Sequence, residues 1–219
     1  MKDGIGHIYL AWRKGPGFSR VIIGVIKRNA TEGVTFRYFK DGLDAAKKDG
    51  FVIYPDFPDE NKVYSDNVLD IFGQRLNKSE REDIHKYYAY WEIAPSSRED
   101  KYYLLAHTQG MLPTDNFELL ADYNPVKGLS FISELSGLSY LNLPADSFAD
   151  GDLLRWEMDS SNPYDKFSIK VFKGDIYVGR VKRMHSRVFY KNNGRGLKIT
   201  VKSINRNGHI NRAFIKISF

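Results

Sequence analysis

The stretch Asn162-Pro163-Tyr164-Asp165-Lys166-Phe167-Ser168-Ile169-Lys170-Val171 decides how the second half of the chain folds. Proline presets φ, and Asn and Asp side chains bond nearby backbone, so Asn162 to Asp165 reads as a turn. A strand-like alternation follows, with Phe167, Ile169 and Val171 on one face and Ser168 and Lys170 on the other. After Lys173-Gly174-Asp175 comes a second short strand, Ile176-Tyr177-Val178-Gly179-Arg180-Val181. Gly174 suits a two-residue hairpin loop. A rigid polar corner feeding a hairpin can hold a ligand against the hairpin's edge, or it can simply turn the chain.

Outward from this corner, the neighbouring segments also read as strands. Asp150-Gly151-Asp152 turns into a strand over Leu153 to Met158 that runs into the corner. Phe131 to Leu141 is expected to be the first strand of this half. Lys182 to Tyr190 reads as a short helix stopped by Asn192-Asn193-Gly194, residue types that end helices in the left-handed conformation. Gly196 to Ile204 and Asn211 to Phe219 form a hairpin around Asn207-Gly208, a strong turn signal. Closing these strands into a barrel removes exposed edges.

The charge is uneven. The chain of 219 residues has a net charge of +6, yet no Asp or Glu follows Asp175. Eleven cations lie in that tail, from Arg180, Lys182 and Arg183 through Arg187, Lys191, Arg195, Lys198, Lys202, Arg206 and Arg212 to Lys216. Residues 1–175 hold 22 Lys+Arg against all 27 acids, a net of −5. A basic end attracts polyanions, phosphate backbones above all; a solvated, solubilising surface has the same composition. Tyr164, Tyr177, Phe189, Tyr190 and Phe214 lie among these cations, and Tyr140 just upstream. Single-strand binders pair a positive groove with rings on which bases stack, each worth about 1 to 3 kcal/mol. Most rings in so small a barrel belong to its core, so one or two are expected to face a ligand.

The first half reads as a separate unit. Ile8 to Trp12 and Val21 to Ile26 look like strands joined by Lys14-Gly15-Pro16-Gly17. Val34 to Phe39 alternates as a third strand, and Phe51 to Tyr54 as a short fourth, in an antiparallel meander. Asp66 is placed to cap a helix carrying Val68, Leu69, Phe72 and Leu76. Ser79-Glu80-Arg81-Glu82 has capping-box spacing, and Ile84, Tyr87, Tyr88 and Trp91 follow at helical spacing, a stripe better suited to core than to binding. Lys101 to His107 is expected to return as a strand, and Asp115 and Glu118 to lie on a short capped helix. The junction falls near Tyr123-Asn124-Pro125-Val126-Lys127-Gly128, giving domains 1–125 and 126–219.

Composition excludes whole classes. With 42% hydrophobic and 14% aromatic residues the chain can bury a core. There is no cysteine, hence neither a disulfide framework nor a thiolate zinc site. No run of about 18 apolar residues is present to cross a membrane. The stretch Met1 to His7 lacks the apolar core of a signal peptide, so a cytoplasmic location is expected. The five histidines, His7, His85, His107, His185 and His209, show no metal-ligand spacing. No nucleophile elbow, Walker loop or dinucleotide fingerprint appears; Gly194-Arg195-Gly196 lacks the strand-then-helix setting. We expect no enzyme activity and no cofactor.

The order Asn-Pro-Tyr-Asp, Ser-Ile-Lys-Val, Gly, Val-Gly-Arg-Val at residues 162–181 resembles the HIRAN domain, a family found in bacterial proteins and fused to the eukaryotic helicase-like transcription factor. The resemblance spans roughly residues 131 to 219. It implies a small OB-like β-barrel that captures single-stranded DNA at its 3′ end. On the matching positions it implies that Tyr164 stacks on the terminal base and that Asp165 receives the 3′-hydroxyl, with Asn162 shaping the pocket. A carboxylate accepts a bond from a hydroxyl and repels a terminal phosphate. The family's Gly-Leu-Arg-Tyr strand, whose Arg and Tyr contact DNA, falls at Gly137-Leu138-Ser139-Tyr140, losing the arginine and keeping the tyrosine, so the resemblance implies that Tyr140 also stacks on a base. A family histidine falls at Arg180. Phosphate contacts are expected from Arg180, Lys182 and Arg183.

The first half resembles the N-terminal domain of HipA-type toxin kinases. The residues that carry this are Ile23-Gly24-Val25-Ile26, Val34 to Tyr38, and Phe72-Gly73-Gln74-Arg75-Leu76-Asn77 with Glu80-Arg81. The kinase core is missing, so only a protein-interaction role carries over.

The expected fold class is therefore α+β, mostly β: an N-terminal antiparallel sheet with helices, followed by a small OB-like β-barrel. The expected function is binding of single-stranded DNA or DNA 3′ ends by the barrel. The alternative is an accessory, antitoxin-like partner of a separate HipA-type kinase, with the aromatic helix or an Ile23–Ile26 edge making the contact.

Overall fold

The computed structural model describes residues 4–219. The chain forms two compact units, Ile5–Asp122 and Tyr123–Phe219, the latter joined by Gly4. Its class is α+β and mostly β.

In the first unit, three strands follow the expected alternation: β1 (Ile5–Trp12), β2 (Val21–Asn29) and β3 (Gly33–Tyr38). β1 pairs antiparallel with β2, and β2 with β3. A helix, α1 (Lys40–Lys48), packs Leu43 and Ala46 toward β2. Phe51 to Tyr54 is not a strand. Pro55 and Pro58 restrict that segment, and its rings instead join a cluster: Phe57 lies 4.7 Å from Phe36, and Tyr54 5.5 Å from Phe72.

Three further helices follow, α2 (Val68–Gly73), α3 (Ile84–Tyr90) and α4 (Lys101–Thr108). Asp66 caps nothing: the residue before α2 is Asn67, left-handed at φ 55°. Ser79 and Glu82 form no capping box, because α3 starts only at Ile84. Lys101 to Thr108 is a helix and not a strand. Asp100 sets its start by accepting the Tyr103 N–H at 3.1 Å, the standard use of a capping carboxylate. Every residue from Tyr102 to Thr108 is buried, so no face stands out in the sequence.

The fourth strand of the sheet is β4 (Phe117–Tyr123), beside β1 in the order β3-β2-β1-β4. Asp115 and Glu118 are thus not on a helix. Asp115 takes both terminal nitrogens of the buried Arg75 at 2.7 Å. Glu118 takes Arg20 at 2.8 and 2.9 Å.

The second unit is a closed antiparallel barrel in the order β10-β5-β8-β7-β6-β9. Its strands are β5 (Ser130–Ser136), β6 (Leu153–Asp159), β7 (Ser168–Lys173), β8 (Ile176–Val181), β9 (Lys198–Asn207) and β10 (His209–Ser218). β5 stops at Ser136, short of the expected Leu141, and the chain turns at Gly137 into a one-turn helix, α5 (Leu138–Leu141). The expected Lys182–Tyr190 helix contracts to α6 (Arg187–Tyr190) after a run of turns.

Alternation builds the interior. Ile169, Val171, Val178, Ile199, Ile215 and Ile217 are all fully buried. At Gly179 the backbone has φ 130° and β8 runs so close to β5 that a Cβ would sit 2.8 Å from the Ser136 carbonyl oxygen. Only glycine fits there, and the next residue is Arg180. Among the described residues no helix is long and apolar enough to cross a membrane.

Candidate nucleic-acid interface

The corner between β6 and β7 holds itself in place by local bonds. The Asn162 side-chain oxygen accepts the backbone N–H groups of Tyr164 at 2.9 Å and Asp165 at 3.1 Å. Asp165 Oδ1 accepts the Phe167 N–H at 3.0 Å, and the Asp165 carbonyl accepts the Ser168 N–H at 3.0 Å. These are turns of the kind Asn and Asp side chains make. The second carboxylate oxygen of Asp165 bonds no described residue. Tyr164 is left 87% exposed, the most exposed large hydrophobic side chain among the described residues. Behind it, Lys166 lies 5.1 Å from the centre of the Phe167 ring, which meets Tyr190 edge-on at 5.3 Å.

At the base of the corner sits Asp159, almost buried. It accepts from Arg180 at 2.7 Å and from the Ser161 hydroxyl at 3.0 Å, with Lys170 at 3.5 Å. The bond from Arg180 holds its carboxyl below the usual carboxylate range, outweighing desolvation; Ser161 and the charges of Arg180 and Lys170 add to this. Arg180 also bonds the Ser168 hydroxyl. Burial pushes the neighbouring Tyr177 hydroxyl up, and Arg180 partly opposes this. Arg180 is therefore fixed in direction, with part of its guanidinium in water.

The expected site residues divide. Asn162, Tyr164 and Asp165 share the corner, and Arg180 stands at its base through Asp159 and Ser168. Arg183 is exposed, with no described residue pairing its guanidinium. Tyr140 is 80% exposed, but on α5, which packs on β8 and β10, and not on a strand. Lys182 makes no phosphate contact: its side chain is fully buried and its ammonium lies 3.0 Å from Glu134, which also takes Arg212 at 2.6 Å. An ammonium drawn into the interior must be paired there, so Glu134 claims it. Lys182 follows the last residue of β8, where strand alternation no longer holds and the chain enters a run of turns; Lys170, which the sequence reading passed over, pairs with Arg180 on the outward face instead.

The positive charge is concentrated in this unit. Residues 123–219 carry 16 Lys+Arg against 8 Asp+Glu, a net of +8, so residues 1–122 carry −2. Among the described residues no group of three His, Asp or Glu could hold a metal.

No family model matches the chain, and no curated protein does. Among solved structures it is similar to the HIRAN domain of human HLTF, with a TM-score of 0.35 and 21% identity over 41% of this chain and 74% of that one. It is also similar to a protein from Lactobacillus plantarum, with a TM-score of 0.33 and 17% identity over 42% of this chain and 96% of that one.

Proposed function

We propose that the unit Tyr123–Phe219 binds single-stranded DNA, taking the strand's 3′ end at the Asn162–Asp165 corner, without catalysis. The observation that carries this is Tyr164: a ring 87% in water, on a turn pinned by two bonds to one side chain, beside cations of a unit with net charge +8. A turn whose backbone is fixed before the ligand arrives loses little entropy on binding, and base stacking on its ring is tolerant of sequence. Arg180, Lys170 and Arg183 supply phosphate contacts. The unused oxygen of Asp165 accepts a terminal hydroxyl and repels a terminal phosphate. Tyr140 offers a second ring from α5.

A protein-contact role for the first half draws less support. Ile23–Ile26 is not an edge, because β2 is hydrogen-bonded to β1 and β3 on its two sides.

Fluorescence anisotropy at two salt concentrations tests the reading. The ligands are a single strand with a free 3′-hydroxyl, the same strand 3′-phosphorylated, and a blunt duplex. Preference for the free hydroxyl, lost in Tyr164→Ala/Asp165→Ala, is the expected result. Equal, salt-sensitive binding of all three reduces the site to a basic surface, and no binding at low salt overturns the proposal.

A further inference from the structure

The corner occupies only one end of the outward face of β6, β7 and β8. Strand register arranges the rest of that face in rows. Asp159 pairs with Ser168 next to the corner; Glu157 pairs with Lys170 and Lys170 with Arg180; Arg155 pairs with Phe172 and Phe172 with Tyr177. Partners in an antiparallel pair share a face, and the opposite face of the same strands carries the buried Ile169, Val171, Val178 and Val181. Phe172 and Tyr177 therefore lie outside the barrel core, half-buried, edge to face at 5.7 Å. The Arg155 guanidinium lies 4.3 Å from the centre of the Phe172 ring and bonds Glu157. A register shift between Val171 and Phe172 brings Tyr177 onto the face of Arg180.

We infer that Phe172 and Tyr177, flanked by Arg155 and Lys170, form a second subsite that takes nucleotides further along the strand whose end sits at the corner. The inference rests on the DNA reading above. Two rings on the water side of a small barrel contribute little to its interior, whereas beside two cations they match what a single strand needs, a stacking surface with phosphate contacts alongside. Asp159 lies four residue steps along β6 from Arg155, about 13 Å at strand spacing. The subsite thus lies beyond the terminal nucleotide and within reach of those that follow it. Lys170, in the middle row, joins the two ends.

The test compares a trimer and an octamer of deoxythymidylate, each with a free 3′-hydroxyl, on the full chain. Phe172→Leu/Tyr177→Leu keeps apolar bulk and removes the ring faces; Arg155→Gln is a second, milder variant, and thermal midpoints check that both fold. In the wild type the octamer is expected to bind more tightly than the trimer. In the Leu double variant the trimer is expected to bind as in the wild type, and the octamer about tenfold more weakly; Arg155→Gln should lower the salt dependence for the octamer alone. An octamer advantage that survives the double variant overturns the second subsite and leaves the corner standing. Equal loss for trimer and octamer also overturns it, since the rings then only support the corner. Wild-type binding of neither oligonucleotide overturns the DNA reading itself, and the subsite with it.

Discussion

Tyr164→Ala separates stability from binding. The ring is 87% exposed, so folding buries little of it. Taking about 200 Å² for an aromatic side chain, roughly 25 Å² leaves water, worth about 0.6 kcal/mol at about 25 cal/mol per Å². The backbone bonds of the corner run to Asn162, not to the ring, and survive the change. The thermal midpoint should therefore move by no more than a few degrees. A stacked base loses about 1 to 3 kcal/mol when its ring is removed, an affinity loss of about 5- to 150-fold. Anisotropy with a short single strand measures the loss, circular dichroism melting the stability, and Tyr164→Phe should restore most of the affinity. Unchanged affinity in a normally folded Tyr164→Ala variant would refute stacking at this ring.

Three other perturbations have defined outcomes. Asn162→Ala removes the acceptor of two backbone N–H groups, and at about 1 kcal/mol per bond it should cost about 1–2 kcal/mol in urea unfolding, with DNA affinity falling as the corner loosens. Glu134→Gln leaves the fully buried Lys182 without its carboxylate, for which a loss of about 3–5 kcal/mol is expected; calorimetry would show it, while the salt slope of DNA binding should stay as it was. Asp159 has a carboxyl held down in the folded state, so its contribution to stability is present above its unfolded value and lost as pH falls through the folded one. Denaturant unfolding between pH 5 and pH 2, about the range of such titrations, should lose less stability on acidification in Asp159→Asn than in the wild type, and equal slopes would refute the pairing.

The sequence revealed most of what depends on near neighbours. β6, the corner, β7, β8 and the β9–β10 hairpin were readable because alternation and turn residues act within ten residues. The bonds from Asn162 reach only two and three residues ahead. What it concealed depends on distance or on uniform burial. Lys101 to Thr108 has no polar face, and its run of Tyr and Leu imitates a buried strand; the single local clue was Asp100 ahead of it. β4 lies beside β1, a neighbour about a hundred residues earlier, and no local pattern announces such a pairing. Lys182 looked like a surface cation among Lys and Arg because its partner Glu134 lies far upstream. Lys170, Phe172 and Tyr177 gained meaning only once register placed Lys170 beside Arg180 and Phe172 beside Tyr177 in the next row.

The barrel's closure has a consequence during synthesis. β10 is the partner of both β9 and β5, and Phe214 pairs with Glu134 across some eighty intervening residues. A ribosome that has released β5 to β9 has delivered the sheet with its corner, while β5 and β9 still wait for the strand that joins them. Unpaired strand edges invite pairing with other chains, and long-range contacts form late. Emergence of His209–Ser218 is therefore the step that lets the barrel close, and a stall just upstream of it leaves the Asn162–Asp165 corner attached to an open sheet.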